Sequence, residues 1–234
     1  AAVLKTATGG YDGRGVLLDV DEPSVRAWFP FSRGAVLVQR RMPLDDEFAV
    51  QVVRSADGEI VAYPPVRTVQ ADGMCRVVHV PTGLDENVER IAIDVATAIA
   101  DAIDVVGVLA VEFFVSDGRP IVNELAARPH NSGHLTIEAN VASQFENHLR
   151  AVAGLPLGST ELVVSAAAMA NVVGPCDGSR ALGPPPPDVA VHLYGKSLRP
   201  GRKVGHVTAI APTVDEAVSR AVRAAGELER GAVT

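Results

Sequence analysis

Two glutamates stand inside strongly apolar segments: Glu112 in Val-Leu-Ala-Val-Glu-Phe-Phe-Val and Glu124 in Pro-Ile-Val-Asn-Glu-Leu. An ionised carboxylate buried in such a segment is costly unless it is paired or bound to a metal. Two of them close together repel, and a divalent cation removes the repulsion. Oxygen ligands from Glu and Asn suit magnesium held together with nucleotide phosphates. The alternative is a pair of strand-end carboxylates salt-bridged to arginines.

Directly after Glu124 runs Ala126-Ala127-Arg128-Pro129-His130-Asn131-Ser132-Gly133-His134. The spacing of His130 and His134 would suit zinc on a helix, but the intervening Gly and the Pro disfavour helix and no cysteine is near. The segment reads as a polar substrate-binding loop. Near the start, Lys5 precedes Gly9-Gly10-Tyr11-Asp12-Gly13-Arg14-Gly15. Closely spaced glycines leave backbone N–H groups able to point at an anion, which suits a flap over phosphates. No G-K-[ST] follows, so this is not a Walker A loop. A flexible hairpin turn is the competing reading. A fourth cluster, Lys196-Ser197-Leu198-Arg199-Pro200-Gly201-Arg202-Lys203-Val204-Gly205-His206, concentrates cations in an acidic chain and suits a phosphate on a small substrate. A solvated basic loop would look similar. Of the 21 basic residues only Lys5, Lys196 and Lys203 are lysines, so a compact ammonium survives only beside these segments.

The elements that must carry these groups are a mixture of strand and helix patterns. Ala1 to Thr6, Arg14 to Leu18, Ala35 to Gln39, Phe48 to Arg54, Glu59 to Tyr63, Arg76 to Val80, Val106 to Val115, Pro120 to Leu125, Leu162 to Val173, Val189 to Tyr194 and Val204 to Ile210 read as strands. Pro23 to Phe31 suits a short helix. Asp85 caps a helix of about twenty residues, with Val88, Ile91, Val95, Ile99 and Ile103 as its apolar stripe. Ser143 with Glu146, and Thr213 with Glu216, open two further helices as capping boxes. Gly154 to Thr160 reads as a linker and Pro184 to Pro187 as a stiff connector. Hairpins without regular βαβ alternation give an α+β class. The turn at Asp117-Gly118 carries a constraint. With a two-residue loop Ser116 pairs with Arg119, Glu112 faces Asn123, and Glu124 points to the other face. A shared magnesium site therefore demands a three-residue loop, Asp117 to Arg119, or a bulge.

At 234 residues the chain holds one large domain or two modest ones. Its 47% apolar and 21% charged residues are those of a globular protein. No apolar run is long enough to span a membrane, and no leader pattern points to secretion. Cys75 and Cys176 read as reduced thiols in a cytoplasmic protein. A net charge of -7 disfavours a general nucleic-acid binder. The chain opens within an apolar strand, which points to the later part of a longer protein. No Ser-His-Asp order suggests covalent catalysis.

Taken together, the segments Lys5 to Gly15, Asn123 to His134, Ser143 to Glu146 and Arg199 to His206 resemble the ATP-grasp ligases and, more narrowly, the 5-(carboxyamino)imidazole ribonucleotide synthases. The His-Asn-Ser-Gly-His stretch sets that family apart within its superfamily. The resemblance implies part of an ATP-grasp small subdomain (residues 1–42), its large subdomain (43–155) and a small β-rich C-terminal domain (156–234). It implies a ligase of purine biosynthesis, homodimeric at full length. With ATP and bicarbonate it would form carboxyphosphate and carboxylate the amine of aminoimidazole ribonucleotide. Lys5, Gly10, Tyr11, Asp12, Gly13, Arg14, Gly15 and Val16 would hold phosphates. Gln39, Arg40, Arg41 and Met42 would form the adenine hinge, with Gln39 where the family often has Glu. Glu47 would hold the ribose, and Glu112 and Glu124, with Asn123 alongside, the magnesium. Arg128 would hold bicarbonate, and His130, Asn131 and Ser132 would line the carboxylation site. Lys196, Arg199, Arg202 and Lys203 would hold the ribonucleotide phosphate. Arg67-Thr68 departs from the family's usual pair. Another ATP-dependent carboxylate–amine ligase, or a truncated, catalytically silent nucleotide-binding module, are the competing functions.

Overall fold

A computed structural model of the chain describes residues 2–7, 15–18, 20–28, 35–71, 73–174 and 181–230. It divides into two compact units, one of Ala1–Leu44 with Gln70–Cys75 and one of Asp45–Val69 with Arg76–Thr234.

The first unit holds a three-stranded antiparallel sheet in the order β2-β1-β3, from β1 (Ala2–Thr6), β2 (Val16–Leu17) and β3 (Val36–Arg40), with helix α1 (Glu22–Trp28) between β2 and β3 in the chain. Lys5 lies on the central strand, opposite Val16 on one side and Leu37 on the other. Gly15 has φ +79, and a Cβ there would stand 2.5 Å from Thr6 Oγ1, so this end of the hairpin admits only glycine without strain.

A second sheet carries the rest of the strands: β4 (Asp46–Arg54), β5 (Ile60–Ala62), β6 (Val66–Ala71), β7 (Met74–Val80), β8 (Gly107–Ser116), β9 (Arg119–Ala126), β10 (Ala166–Val173), β11 (Ala190–Leu193) and β12 (Lys203–Ala211). Its order is β11-β12-β10-β7-β6-β4-β8-β9, with β5 paired to β4. Strand β6 fell outside every sequence pattern, because its Val66-Arg67-Thr68-Val69-Gln70-Ala71 lacks a clean apolar face; Arg67 pairs with Asp46 on β4.

Helix α2 (Glu86–Ala102) starts at Asp85, whose carboxylate accepts from Asn87 N–H. It packs on Val50, Val52, Leu109, Val111 and Phe113. The expected stripe is corrected: Ala92, Ala96 and Ala100 with Val88 form the deepest line, and Ile103 is exposed. Small side chains allow close approach to a sheet already filled by Phe48 and Phe113, whose rings stack at 5.2 Å. Helix α5 (Val214–Glu229), capped by Thr213, presents Ala217, Ala221, Ala224 and Leu228 to Ala168, Ala170, Val207 and Ala209. That leaves Asn171 and His206, which pair across β10 and β12, on the other face. The Ala126–His134 stretch is not all loop. Asn131–Gly133 forms a 3₁₀ turn, followed by α3 (Thr136–Ala139) and then α4 (Gln144–Val152), capped by Ser143. Helix α4 lies on the face of Val53 and Val108 opposite to α2.

The hairpin of β8 and β9 resolves the register question. Its loop is two residues, Asp117 and Gly118, both with positive φ (50° and 68°), and Ser116 pairs with Arg119. The three-residue loop is absent. Phe113 pairs with Val122, a bulge then leaves Asn123 over, and Glu112 faces Glu124. The bulge shifts the register by one residue, so both carboxylates lie on one face.

Helix α4 is tied to the start of β8 at Gly107, where φ is +103 and a Cβ would lie 2.5 Å from His148 Nδ1. That same nitrogen accepts the Val108 N–H at 3.1 Å. Gly107→Ala is expected to lower stability by about 2–3 kcal/mol, from backbone strain and overpacking together. Urea denaturation within about 0.5 kcal/mol of the parent would contradict that account.

Candidate active site

The site-bearing face is the side of β4, β8 and β9 away from α2. Ala49 stands opposite Glu112 and Gln51 opposite Ala110, while Ala126 faces Ala110 across β8 and β9. Three alanines give this face a shallow floor, and the segment after β9 folds back over it. Gln51 Nε2 donates to Ser132 Oγ at 2.7 Å. His130 Nδ1 lies 2.8 Å from the same oxygen, and its Nε2 lies 3.4 Å from Glu112 Oε1.

The burial expected for the carboxylate pair is corrected. Glu124 is exposed, and the Glu112 side chain keeps 31% of its surface. Apolar neighbours in sequence misled: those of Glu112 point to the opposite face, and Glu124 lies on the edge strand β9, where Val122 and Leu125 are exposed as well. The chain of Glu112, His130 and Ser132 has the order of an acid–His–Ser triad. Ser132 is 2% exposed and its oxygen accepts from Gln51, so it is not presented as a nucleophile.

Two amides fasten the segment. Asn131 and Asn171 exchange paired side-chain hydrogen bonds of 2.8 Å in both directions. Gln144, fully buried at the start of α4, accepts the His130 N–H at 2.9 Å and donates to the His130 carbonyl at 2.7 Å. A Cβ on Gly133 would stand 2.6 Å from Gln144 Oε1, which explains the glycine between Ser132 and His134.

Beyond the segment lies a stack of imidazoles. His134 and His206 have ring centroids 4.9 Å apart, and His206 and His192 4.7 Å. Tyr194 O–H meets His206 Nδ1 at 2.8 Å, and Glu138 Oε1 meets His192 Nε2 at 2.7 Å. Burial pushes His206 down to about 3, helped by His134 and His192. It pushes His134 down to about 4, with His130, His192, Lys203 and Lys196 adding to the effect. Burial raises Tyr194 to about 12. His134, His206 and Tyr194 are therefore neutral at pH 7.

The basic cluster is spread over the turn before β12. Lys196 Nζ sits 4.9 Å over the Tyr194 ring, and Lys196 and Arg199 are exposed. Arg202 donates to Ser197 Oγ at 3.0 Å, and Lys203 begins β12 opposite Val173. A Cβ on Gly174 would collide with the Arg199 carbonyl at 2.1 Å, so that glycine lets the turn close against β10. Arg128 is exposed and donates to the Pro129 carbonyl at 3.1 Å.

Glu47 is on β4, opposite Phe114. In the other unit Gln39 faces Val3 and Arg40 faces Ala2, with Arg41 exposed and Met42 half-buried after the strand. Gly10, Tyr11, Asp12, Gly13 and Arg14 lie outside the described residues, as does Cys176; Gly15 and Val16 lie inside them.

The described residues hold no cluster of three or more His, Cys, Asp or Glu able to bind a metal. Two carboxylates facing each other, with Asn123 bulged in β9 beside Glu124, still fit magnesium, which keeps water and phosphate ligands and needs few from protein. Gln51, Glu138, Asn171, His192 and Tyr194 escaped the sequence reading. A lone amide in Phe-Ala-Val-Gln-Val-Val and another in Ala-Ala-Ala-Met-Ala-Asn-Val-Val were the available signals.

An ATP-grasp domain model matches residues 1–145, and a phosphoribosylaminoimidazole carboxylase C-terminal domain model matches residues 167–220. The N5-carboxyaminoimidazole ribonucleotide synthase of Mycobacterium bovis is 44% identical over 98% of this chain, which covers 56% of that protein. Among solved structures, the synthetase of Thermus thermophilus matches 100% of this chain and 63% of its own length, at 36% identity and a TM-score of 0.82. The Aspergillus clavatus synthase, in complex with ADP and aminoimidazole ribonucleotide, matches 98% of this chain and 62% of its own, at 30% identity and TM-score 0.84. The chain thus spans little more than half of the Mycobacterium relative. Among the described residues no helix is long and apolar enough to cross a membrane.

The neutral imidazoles make stability depend on pH. Their folded values lie near 3 and 4, below the ordinary 6.5, so the unfolded chain binds more protons between these limits. Their contribution is complete above about pH 6.5 and is lost as pH falls, at about 1.4 kcal/mol per pH unit for each histidine. Urea titrations between pH 6.5 and 5, where most carboxylates are still ionised, should show this slope and His206→Phe should reduce it. A flat profile would contradict buried neutral rings.

Proposed function

The chain belongs to the N5-carboxyaminoimidazole ribonucleotide synthase family of the ATP-grasp superfamily, and on that basis we propose that the intact protein uses ATP and bicarbonate to carboxylate aminoimidazole ribonucleotide. The observation that carries the reading is the bulge setting Glu124 opposite Glu112, with the His130 segment folded over the same face. Phosphoryl transfer asks for position and charge neutralisation more than for a nucleophilic side chain, and that is what these residue types supply.

In this reading Glu112 and Glu124 hold magnesium, which when bound neutralises charge on the phosphates, and Asn123 lies beside them. Lys5 and the glycine segment hold the nucleotide phosphates, Gln39 to Met42 the adenine, and Glu47 the ribose. Exposed Arg128 offers a guanidinium to bicarbonate and to the negative charge that develops during transfer. His130, Asn131 and Ser132 orient the carboxyl acceptor's surroundings, while the Asn171 and Gln144 amides keep the segment in place. Lys196, Arg199, Arg202 and Lys203 supply cations to the ribonucleotide phosphate. The division into small subdomain remainder, large subdomain and C-terminal domain belongs to the same reading. It is in keeping with the separate unit of Ala1–Leu44 with Gln70–Cys75 and with the change of family model between residues 145 and 167. A cytoplasmic homodimer belongs to it as well, as the family resemblance implies.

ADP formation by the intact protein should require both aminoimidazole ribonucleotide and bicarbonate. Nucleotide binding without such turnover would instead favour a silent module. Because Glu124 is exposed, Glu124→Ala should leave stability within about 0.5 kcal/mol. Its magnesium-dependent ATP affinity, read by calorimetry, should fall at least tenfold, about 1.4 kcal/mol. Undiminished magnesium–ATP binding would remove Glu124 from the metal site.

A further inference from the structure

Gln51 has no part in the function proposed above, yet it is one of three fully buried amides, with Gln144 and Asn171, that touch the His130 segment. It lies mid-strand in β4 between Val50 and Val52 and is fully buried. Its Nε2 donates to Ser132 Oγ at 2.7 Å. Its Oε1 is buried and has no hydrogen-bond partner among the described residues. An orphaned buried carbonyl lowers stability, so an apolar side chain of similar volume would suit the strand better. What the amide adds is the one hydrogen bond to Ser132.

That bond sets a direction. Ser132 Oγ accepts from Gln51, which leaves its own proton for His130 Nδ1 at 2.8 Å. The Ser132 backbone N–H also points to Nδ1, at 3.4 Å. With two donors aimed at it, Nδ1 is the acceptor nitrogen and the ring proton sits on Nε2. Nε2 faces Glu112 Oε1 at 3.4 Å. The order of donation is then Gln51 to Ser132 to His130, with the Nε2–H turned toward the Glu112 carboxylate.

We infer that Gln51 is a positioning residue: through Ser132 it holds His130 as the Nε2–H tautomer, and His130 in turn orients the Glu112 carboxylate from outside the metal site. The inference rests on the reading of Glu112 as a magnesium ligand. Partners of this kind fix ring orientation and ligand basicity, and their loss typically costs roughly 10–100-fold in metal affinity.

The test uses the intact protein with Gln51→Leu, Ser132→Ala and the double variant. In the ligand-free protein, imidazole ¹⁵N shifts should report His130 almost wholly as the Nε2–H tautomer, and either substitution should give a mixture. Gln51→Leu should melt at or above the parent temperature while magnesium–ATP affinity falls about tenfold or more. The double variant should be no weaker than Ser132→Ala alone, because both changes cut one chain. An unchanged tautomer in both single variants, or losses that add, would overturn the inference. A lower melting point with unchanged magnesium–ATP affinity would overturn it too, leaving Gln51 a purely structural amide. Glu112→Ala separates the two claims: if it binds magnesium–ATP like the parent, the metal reading fails, whereas the tautomer shifts still decide the role of Gln51 toward His130.

Discussion

Everything proposed for this chain depends on one irregularity in one hairpin. Side chains in a strand alternate faces, and a two-residue turn fixes the pairing of everything that follows. Asp117 and Gly118 make that turn, and left to itself it would have put Glu112 across from Asn123. The extra residue at Asn123 changes the parity, so Glu124 faces Glu112 and the strand afterwards keeps the new register through Ala126. The same shift decides which way the chain leaves β9, and therefore that the His130 segment lies over the carboxylates.

The second condition is room. The segment after β9 packs close to the sheet because Ala49, Ala110 and Ala126 line the floor beneath it. On the other face, the same economy of volume lets α2 approach through Ala92, Ala96 and Ala100. Glycines serve where even a methyl group is too much, at Gly133 against Gln144 and at Gly174 against the Arg199 carbonyl. Replacing such residues would expel a loop rather than merely loosen a core.

The third is the balance of polar burial. Asn131, Asn171 and Gln144 reach good partners, whereas Gln51 Oε1 and His206 Nε2 find none among the described residues. His134 and His206 are held neutral by burial at some cost in acid. Groups that reduce stability in this way gather at functional sites, where position matters more than the last increment of folding free energy. Here Gln51 touches the His130 segment beside the carboxylates, and His134 and His206 stack close to Lys196 and Lys203 of the basic turn.

Most elements and their caps were legible along the chain, since local signals suffice: Asp85, Ser143 and Thr213 do cap helices, and hydrophobic alternation marks most strands. The residues that carry the family resemblance were legible too, because phosphate, metal and carboxyl chemistry call for recognisable side chains at close spacing. What the chain could not announce was parity and depth. Glu112 and Glu124 read as buried because their sequence neighbours are apolar, yet Val111 and Phe113 face α2 while Glu112 does not, and Glu124 lies on the edge strand β9, where Val122 and Leu125 are exposed too. The three-residue loop and the bulge were equal in sequence, and only pairing across β8 and β9 chose the bulge. Gln51, Asn171 and His192 each stand alone in an otherwise apolar or unremarkable strand. Their partners, Ser132, Asn131 and Glu138, come from segments remote in the chain. Composition and local order therefore determined which family this chain belongs to, while contacts between distant strands decided which side chains meet, because a strand's faces and a buried amide's partner exist only once the sheet has formed.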